Sequence, residues 1–301
     1  MSETSTQGVL ISEGASWANR LRGVATAMRR APKISSAVLA VLLGFAILAP
    51  LIAPQDPTKI DVGNSFNPPA WQSGGSLSNL LGTDKLGRDV FSRLIYGARV
   101  SIFLSGLIIL IGGTTGTFFG ILSGYMGGKT DAVLQRAVEL ILALPTILVA
   151  LVFVFTFGTG FTSVMFVLSP FLAARFTRII RGETLSVRGR DFVAIAQVIG
   201  SPTHRILWQH ILPNVLNTVI VLATLEVGHL ILLEASLSFL GVGVPPPNPA
   251  WGLMVSDGRE FITSSYWICF FPGLAILATV LSLNLFGDWL RDTIDPRRRR
   301  L

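Results

Sequence analysis

Long apolar runs separated by short polar stretches set the pattern of this chain. The first run, ISSAVLAVLLGFAILAPLIA, occupies residues 34–53. Twenty residues of helix cover about 30 Å at 1.5 Å per residue, the thickness of the hydrocarbon core of a bilayer. Further runs at about 100–122, 137–157, 160–180, 215–239 and 268–288 predict five more spans. The third has Glu139 near its start and a kink expected at Pro145. The fourth ends in Arg175, Arg178 and Arg181, spaced by three so that they can snorkel toward one water interface.

The polar stretches have patterns of their own. Residues 1–16 are rich in Ser, Thr and Gly and read as a disordered tail. Trp17, Leu21, Val24 and Met28 then recur at i, i+4, i+7 and i+11, with Arg20, Arg22, Arg29, Arg30 and Lys33 nearby. That combination predicts an amphipathic helix lying in the lipid headgroup layer. A cleaved signal peptide is not expected, because the apolar run is too long and prolines follow its small-residue sites. Between the first two spans, LGTDKLGRDVFSRLIYGAR predicts a helix with Leu86, Val90 and Leu94 as its stripe. Thr83 or Asp84 would cap it, and Asp89 stands four residues before Arg93. No base, nucleophile or metal set accompanies these charges, so helix caps and surface pairs are expected rather than a catalytic cluster.

Two glycine features stand out around the second span. Gly112, Gly116, Gly120, Gly124 and Gly128 recur every four residues and predict a flat strip on one helix face, where another helix backbone can approach closely. The strip runs into GGKT at 127–130, which invites comparison with a nucleotide-binding loop. The required glycine five residues before Gly-Lys is absent, since Ser123 stands there, and a membrane span precedes it instead of a buried strand. ATP binding by this chain is not expected.

The longest polar interruption in the second half is RGETLSVRGRDFVAIAQVIGSPTHRILWQHILPN, residues 181–214. Phe192, Ile195, Ala196 and Ile199 fall at i, i+3, i+4 and i+7, one apolar stripe on a short helix. Gly200 would end that helix, and Ser201 with Pro202 would open a second. The result is a helix–turn–helix on the membrane surface whose apolar face needs a partner.

Composition agrees with a multi-span membrane protein: half of the residues are hydrophobic, 14% are charged and the mean hydropathy is +0.62. A net charge of +7 could suggest nucleic acid, but in such a chain basic residues chiefly set orientation. With the amino terminus in the cytoplasm, 18 of the 24 Lys and Arg fall on the inside. Both termini and the 181–214 loop are therefore expected there, in a multi-pass protein of the inner (plasma) membrane. The single cysteine, Cys269, excludes an intrachain disulfide.

The 181–214 stretch resembles the cytoplasmic coupling loop of permease subunits in ATP-binding-cassette importers. Ala194, Ile195 and Ala196 occupy the family's Glu-Ala-Ala positions, Gly200 its glycine, and Leu212-Pro213 its end. The departure is Ala194 in place of the glutamate. LGTDKLGRDVFSRLIYGARVS, EASLSFLGVGVPPPNPAWGLMVSDGR and FPGLAILATVLSLNLFGDWLRDTIDP are similar to blocks of the C-type permease subunit of dipeptide, oligopeptide and nickel importers. That resemblance implies an all-α membrane protein with six transmembrane helices, an N-terminal interfacial helix and a cytoplasmic coupling helix–turn–helix. It further implies a homologous B-type permease partner, two ATP-binding subunits and an external substrate-binding protein. The coupling residues would be Phe192, Val193, Ala194, Ile195, Ala196, Ile199, Gly200, Leu212 and Pro213.

Glu226 and His229 lie one turn apart on the fifth span, with Glu234 two turns beyond Glu226 near its outer end. Charged groups at membrane depth call for a partner or water, so they either line a pathway or bond to each other or to a neighbouring helix. For Glu234 an interfacial or loop-anchoring role is expected. No metal site is expected, because no further His or Cys ligand stands nearby. The domain plan is a tail and interfacial helix at 1–33, a six-span permease domain at 34–290 and a basic tail at 291–301. No cofactor and no bond chemistry are expected, and the resemblance implies a di- or oligopeptide as cargo. Nickel or another small solute is the alternative cargo. A secondary transporter driven by an ion gradient is the rival class, but it would need internal repeats and mid-membrane ion ligands.

Overall fold

The computed structural model describes residues 32–294, and among these every regular element is a helix, with one isolated bridge between Thr83 and Asp89. Helix α1 (Lys33–Ile52) is followed by an irregular segment to residue 89. Helix α2 (Val90–Ile108) passes through a five-residue widened turn, Ile109–Gly113, into α3 (Thr114–Met126), so 90–126 forms one long rod. Then come α4 (Gly128–Ala143), α5 (Thr146–Phe157), α6 (Phe161–Arg188) and the short α7 (Asp191–Val198). Helix α8 (Thr203–Ile206) continues through a second widened turn, Leu207–Ile211, into α9 (Leu212–Phe239). Helix α10 (Trp251–Gly258) and α11 (Trp267–Ile294) complete the order. The expected interfacial helix around Trp17–Met28 lies outside the described residues.

Five helical rods are long and apolar enough to cross a membrane: 33–52, 90–126, 161–188, 203–239 and 267–293. The expected third span is not a kinked helix but two helices, α4 and α5, bent by 83°. The break falls at Leu144 and Pro145, both in extended conformation, because proline denies its predecessor the helical region. Helix α4 also begins nine residues before the expected start at 137.

The glycine strip fixes how the centre packs. A methyl group built on Gly112 would meet Ser169 O at 2.7 Å, and on Gly116 it would meet Ala173 O at 2.4 Å. On Gly120 it would meet Ile180 Cβ at 2.8 Å, and on Gly124 Thr184 Cβ at 2.7 Å. Each step of four along α3 matches a step along α6 in the same direction, so the two helices are parallel neighbours with nearly touching backbones. The intervening α4–α5 pair therefore returns the chain to the end at which α2 began. Gly128, the last glycine of the repeat, takes no part; its φ is +56° and no atom lies within 4 Å of its missing Cβ.

At the opposite end from α7, residues 54–89 and 240–267 form one clamp. Trp267 Nε1 donates to Thr83 O at 3.0 Å, Trp251 Nε1 donates to Leu94 O at 2.9 Å, and Lys85 pairs with Asp257 at 2.8 Å. The expected helix start at Thr83 or Asp84 is displaced to Val90, and Asp89 is the cap. Its Oδ2 accepts from Ser92 N at 2.8 Å and from Ser92 Oγ at 2.7 Å. Having spent its carboxylate there, Asp89 does not pair with Arg93; Asp84 takes Arg88 at 2.6 Å and Arg93 at 3.7 Å. Asp84, Arg88 and Arg93 are buried rather than surface groups.

Candidate functional site

Two places carry chemistry: the 181–214 loop and a charged group halfway along α6 and α9. In the loop, α7 ends in a glycine turn. Gly200 has φ +81°, its N–H donates to Gln197 O at 3.0 Å, and Ser201 N donates to Ala196 O at 3.0 Å. These two bonds satisfy carbonyls that the helix end would otherwise leave bare. Pro202, not Ser201, flanks the next helix, and no side chain caps it. That next helix is no separate element, because α8 runs unbroken into α9, giving a 37-residue rod. Pro213 lacks an N–H and its ring crowds the preceding turn, and the widened turn at Leu207–Ile211 stands immediately before it.

The expected apolar stripe divides between two faces. Val193 and Ala196 are buried against Ile180, Val187, Ile206, Ile211 and Val215, so α7 does have a core within its own subunit. Ile195, Val198 and Ile199 point away, 58%, 88% and 76% exposed, with Ala194 also exposed. Phe192 sits at the edge beside the His210 ring, and Trp208 is exposed on the adjoining rod. Sequence reasoning passed over Val198 and Trp208; an apolar residue outside the counted stripe and a lone tryptophan in a polar stretch were the available signals. Leu212 is half-buried and Pro213 exposed, both inside the α9 rod. Gln197 Nε2 donates to Tyr125 Oη at 3.3 Å, which ties α7 to the end of α3, and Arg188 at the end of α6 lies 5.7 Å over the same ring. Arg181 grips Asp131 with two bonds, at 2.5 and 2.6 Å, joining α6 to the start of α4.

Halfway along the helices, Arg175 Nη1 donates to Glu226 Oε2 at 3.3 Å. Arg175 is the fifteenth of the 28 residues of α6, and Glu226 the fifteenth of the 28 of α9. Arg175 is thus paired across to the neighbouring helix. The Glu226–His229 bond is not formed, since the partner of Glu226 comes from the neighbouring helix. His229 Nε2 is enclosed and has no hydrogen-bond partner among the described residues. Glu234 is buried and accepts from Ser101 at 3.2 Å and Ser238 at 2.7 Å, while Ser238 Oγ also accepts from Val244 N at 3.4 Å. Glu234 thus anchors both α2 and the loop after α9. Among the described residues no three His, Cys, Asp or Glu side chains gather as a metal site.

Comparison with known proteins gives a consistent match over most of the chain. Residues 116–300 match the binding-protein-dependent transport system inner membrane component, and residues 29–69 match the N-terminal transmembrane domain of oligopeptide transport permease C. The chain is 39% identical over 255 residues to the dipeptide transport system permease protein of Haemophilus influenzae, covering 85% of this chain and 86% of that protein. It is 42% identical over 260 residues to the dipeptide transport system permease protein of Escherichia coli K12, covering 86% and 87%. Against the di/tripeptide transport system permease protein of Pseudomonas aeruginosa the identity is 37% over 252 residues, covering 84% and 83%.

Proposed function

The chain belongs to the family of binding-protein-dependent transport system inner membrane components, and from that premise we propose that it is the C-type permease subunit of an ATP-driven importer of di- or oligopeptides. It supplies half of the translocation pathway and does no bond chemistry. A homologous B-type permease supplies the other half, two ATP-binding subunits sit on the cytoplasmic side, and an external binding protein delivers the peptide. The α4–α5 pair counts as one crossing, which gives six spans and leaves both termini and the 181–214 loop in the cytoplasm. The 18 basic residues assigned to that side support this orientation.

The observation that carries the coupling role is the division of α7 into two apolar faces. Val193 and Ala196 root the helix in the ends of α6 and α9, while Ile195, Val198 and Ile199 project from the same turns with nothing over them among the described residues. A helix held rigidly on one side and bare on the other suits transmission of a partner's movement. When ATP closes the ATPase subunits, α7 is carried with them and pulls the ends of α6 and α9, which alternates access across the membrane. The named relatives transport dipeptides or di/tripeptides, which favours peptide over nickel as cargo. Co-purification from native membrane tests the proposal: two permeases, ATPase subunits and bound peptide are expected. Recovery of this chain alone, with uptake driven by an ion gradient, would overturn it.

A further inference from the structure

We propose that Arg175 and Glu226 form a station in the pathway that receives the two charged ends of the peptide, Arg175 taking the carboxylate and Glu226 the ammonium. This rests on the peptide-importer function proposed above. Three features of the pair support it. The first is depth. Arg175 lies 14 residues from the outer end of α6 and Glu226 lies 13 from the outer end of α9. At 1.5 Å per residue both stand about 20 Å below those ends, roughly two thirds of the way through a hydrocarbon core about 30 Å thick.

The second feature is exposure. The side chain of Arg175 is 37% exposed and that of Glu226 13%. A guanidinium open to hydrocarbon at this depth costs several kcal/mol, so the open side faces protein or water rather than lipid. The third is an unfilled bonding capacity. Guanidinium has five N–H donors in a planar fork matched to a carboxylate, and Arg175 uses one, in a single 3.3 Å bond to Glu226. A pair meant only to join α6 to α9 would be expected to close both bonds of the fork, as Arg181 does with Asp131. His229 Nε2, one turn from Glu226, is enclosed and without a hydrogen-bond partner among the described residues.

An unblocked peptide carries one carboxylate and one ammonium whatever its side chains. Exchange of the Arg175–Glu226 pair for these two ends replaces one ion pair with two, so no charge is stranded within the membrane during passage. The station accordingly reads the peptide's backbone ends and is indifferent to sequence.

The test uses the complete importer in proteoliposomes with ATP and dialanine-loaded binding protein. Arg175→Lys keeps the charge and the pair but removes the fork. The expected result is a maximal uptake rate reduced about tenfold, with wild-type recovery of the complex and unchanged half-saturation by loaded binding protein, which docks on the far face. The apolar pair Arg175→Met with Glu226→Met leaves no buried charge unpaired and is expected to lose uptake further. Wild-type uptake by Arg175→Lys would overturn the proposal, as would loss of complex recovery in that variant, which would assign Arg175 to a contact between subunits. Failure of the wild-type complex to take up any peptide would instead remove the cargo on which the station depends.

Discussion

Gly116→Ala is the sharpest test of the packing seam between α3 and α6. The added methyl would sit 2.4 Å from Ala173 O, 2.6 Å from Phe176 Cβ and 2.9 Å from Ala173 Cα. Two of these three atoms are backbone and the third is a Cβ bonded directly to it, so no flexible side chain can swing away. Restoring an ordinary contact near 3.4 Å means separating the helices by about 1 Å, and close-packed interiors lose much of their dispersion energy over such a gap. Overpacking of this kind costs about 1–3 kcal/mol, opposed by roughly 1 kcal/mol gained when alanine replaces glycine in a helix. Gly106, on α2, has no atom within 4 Å of its missing Cβ. Gly106→Ala receives the helix gain without the clash. In detergent-solubilised protein, Gly116→Ala should melt several degrees below wild type and Gly106→Ala at or slightly above it. Equal melting temperatures for the two variants would refute the close-approach argument. Because the seam lies within the subunit, the bulkier Gly120→Leu should reduce recovery of the subunit itself and not merely its assembly with a partner.

Three further outcomes follow from the geometry. Ile199→Asp places a charge on the bare face of α7 and should weaken attachment of the ATPase subunits roughly ten- to hundredfold, about the worth of one buried Ile side chain; raising salt to about 0.5 M should change it less than twofold, since Ala194 leaves little screened charge in the contact, and the opposite ranking in a pull-down would sink the apolar docking face. Asp89→Ala removes the acceptor for Ser92 N and Asn79 Nδ2 and should lower stability by about 1–2 kcal/mol, whereas Asp89→Asn should lose less; identical melting of the two would argue against the cap. Gly200→Val must hold a β-branched residue at φ +81°, while Gly200→Asn suits that region. Because no atom crowds the site, Val should uncouple ATP hydrolysis from loaded binding protein and Asn should not, and equal coupling in both would show that the turn conformation is unimportant.

The apolar runs made most of the helices legible, because a hydrophobic stretch of about 20 residues has few alternatives to a span. The glycine strip was legible for the same reason, since a four-residue repeat has one meaning on a helix face. What could not be read was any feature decided by a distant partner. Asp84, Asp89 and Arg93 offered two capping and pairing schemes of similar local merit, and contacts to Asn79, Trp267 and Asp257 from elsewhere in the chain select one. Arg175 looked like a member of the Arg178 and Arg181 series at a water interface. Only the lateral neighbour Glu226, 51 positions away, reveals it as one half of a pair between helices. The α7 stripe failed in a different way. Phe192, Ile195, Ala196 and Ile199 fit one helical face, but a helix eight residues long with apolar residues on most sides does not declare which face turns inward. Val193 and Ala196 turn inward because Ile206, Ile211 and Val215 of the following rod provide the cavity.

These contacts also determine where movement can pass. The nearly touching backbones of α3 and α6 cannot slide without bringing the next residue against a glycine gap too narrow for it, so the two helices move as one body. Helix α7 is bonded to that body through Gln197 and Tyr125 and packed on it through Val187 and Val193. On the coupling role proposed above, a displacement at Val198 and Ile199 would therefore be delivered to α6 as a whole. The polar contact between α6 and α9 at Arg175 and Glu226 is a single 3.3 Å bond, set in an apolar interface where Phe171, Leu172 and Phe176 of α6 share a core with Leu222, Ala223 and Leu230 of α9. The ends of α2 and α9 opposite α7 are held by Trp251, Glu234 and the Asp84–Arg88 pair. If α7 is the driven end, as proposed above, this held end makes the middle of α6 and α9, where Arg175 meets Glu226, the place to look for movement during transport.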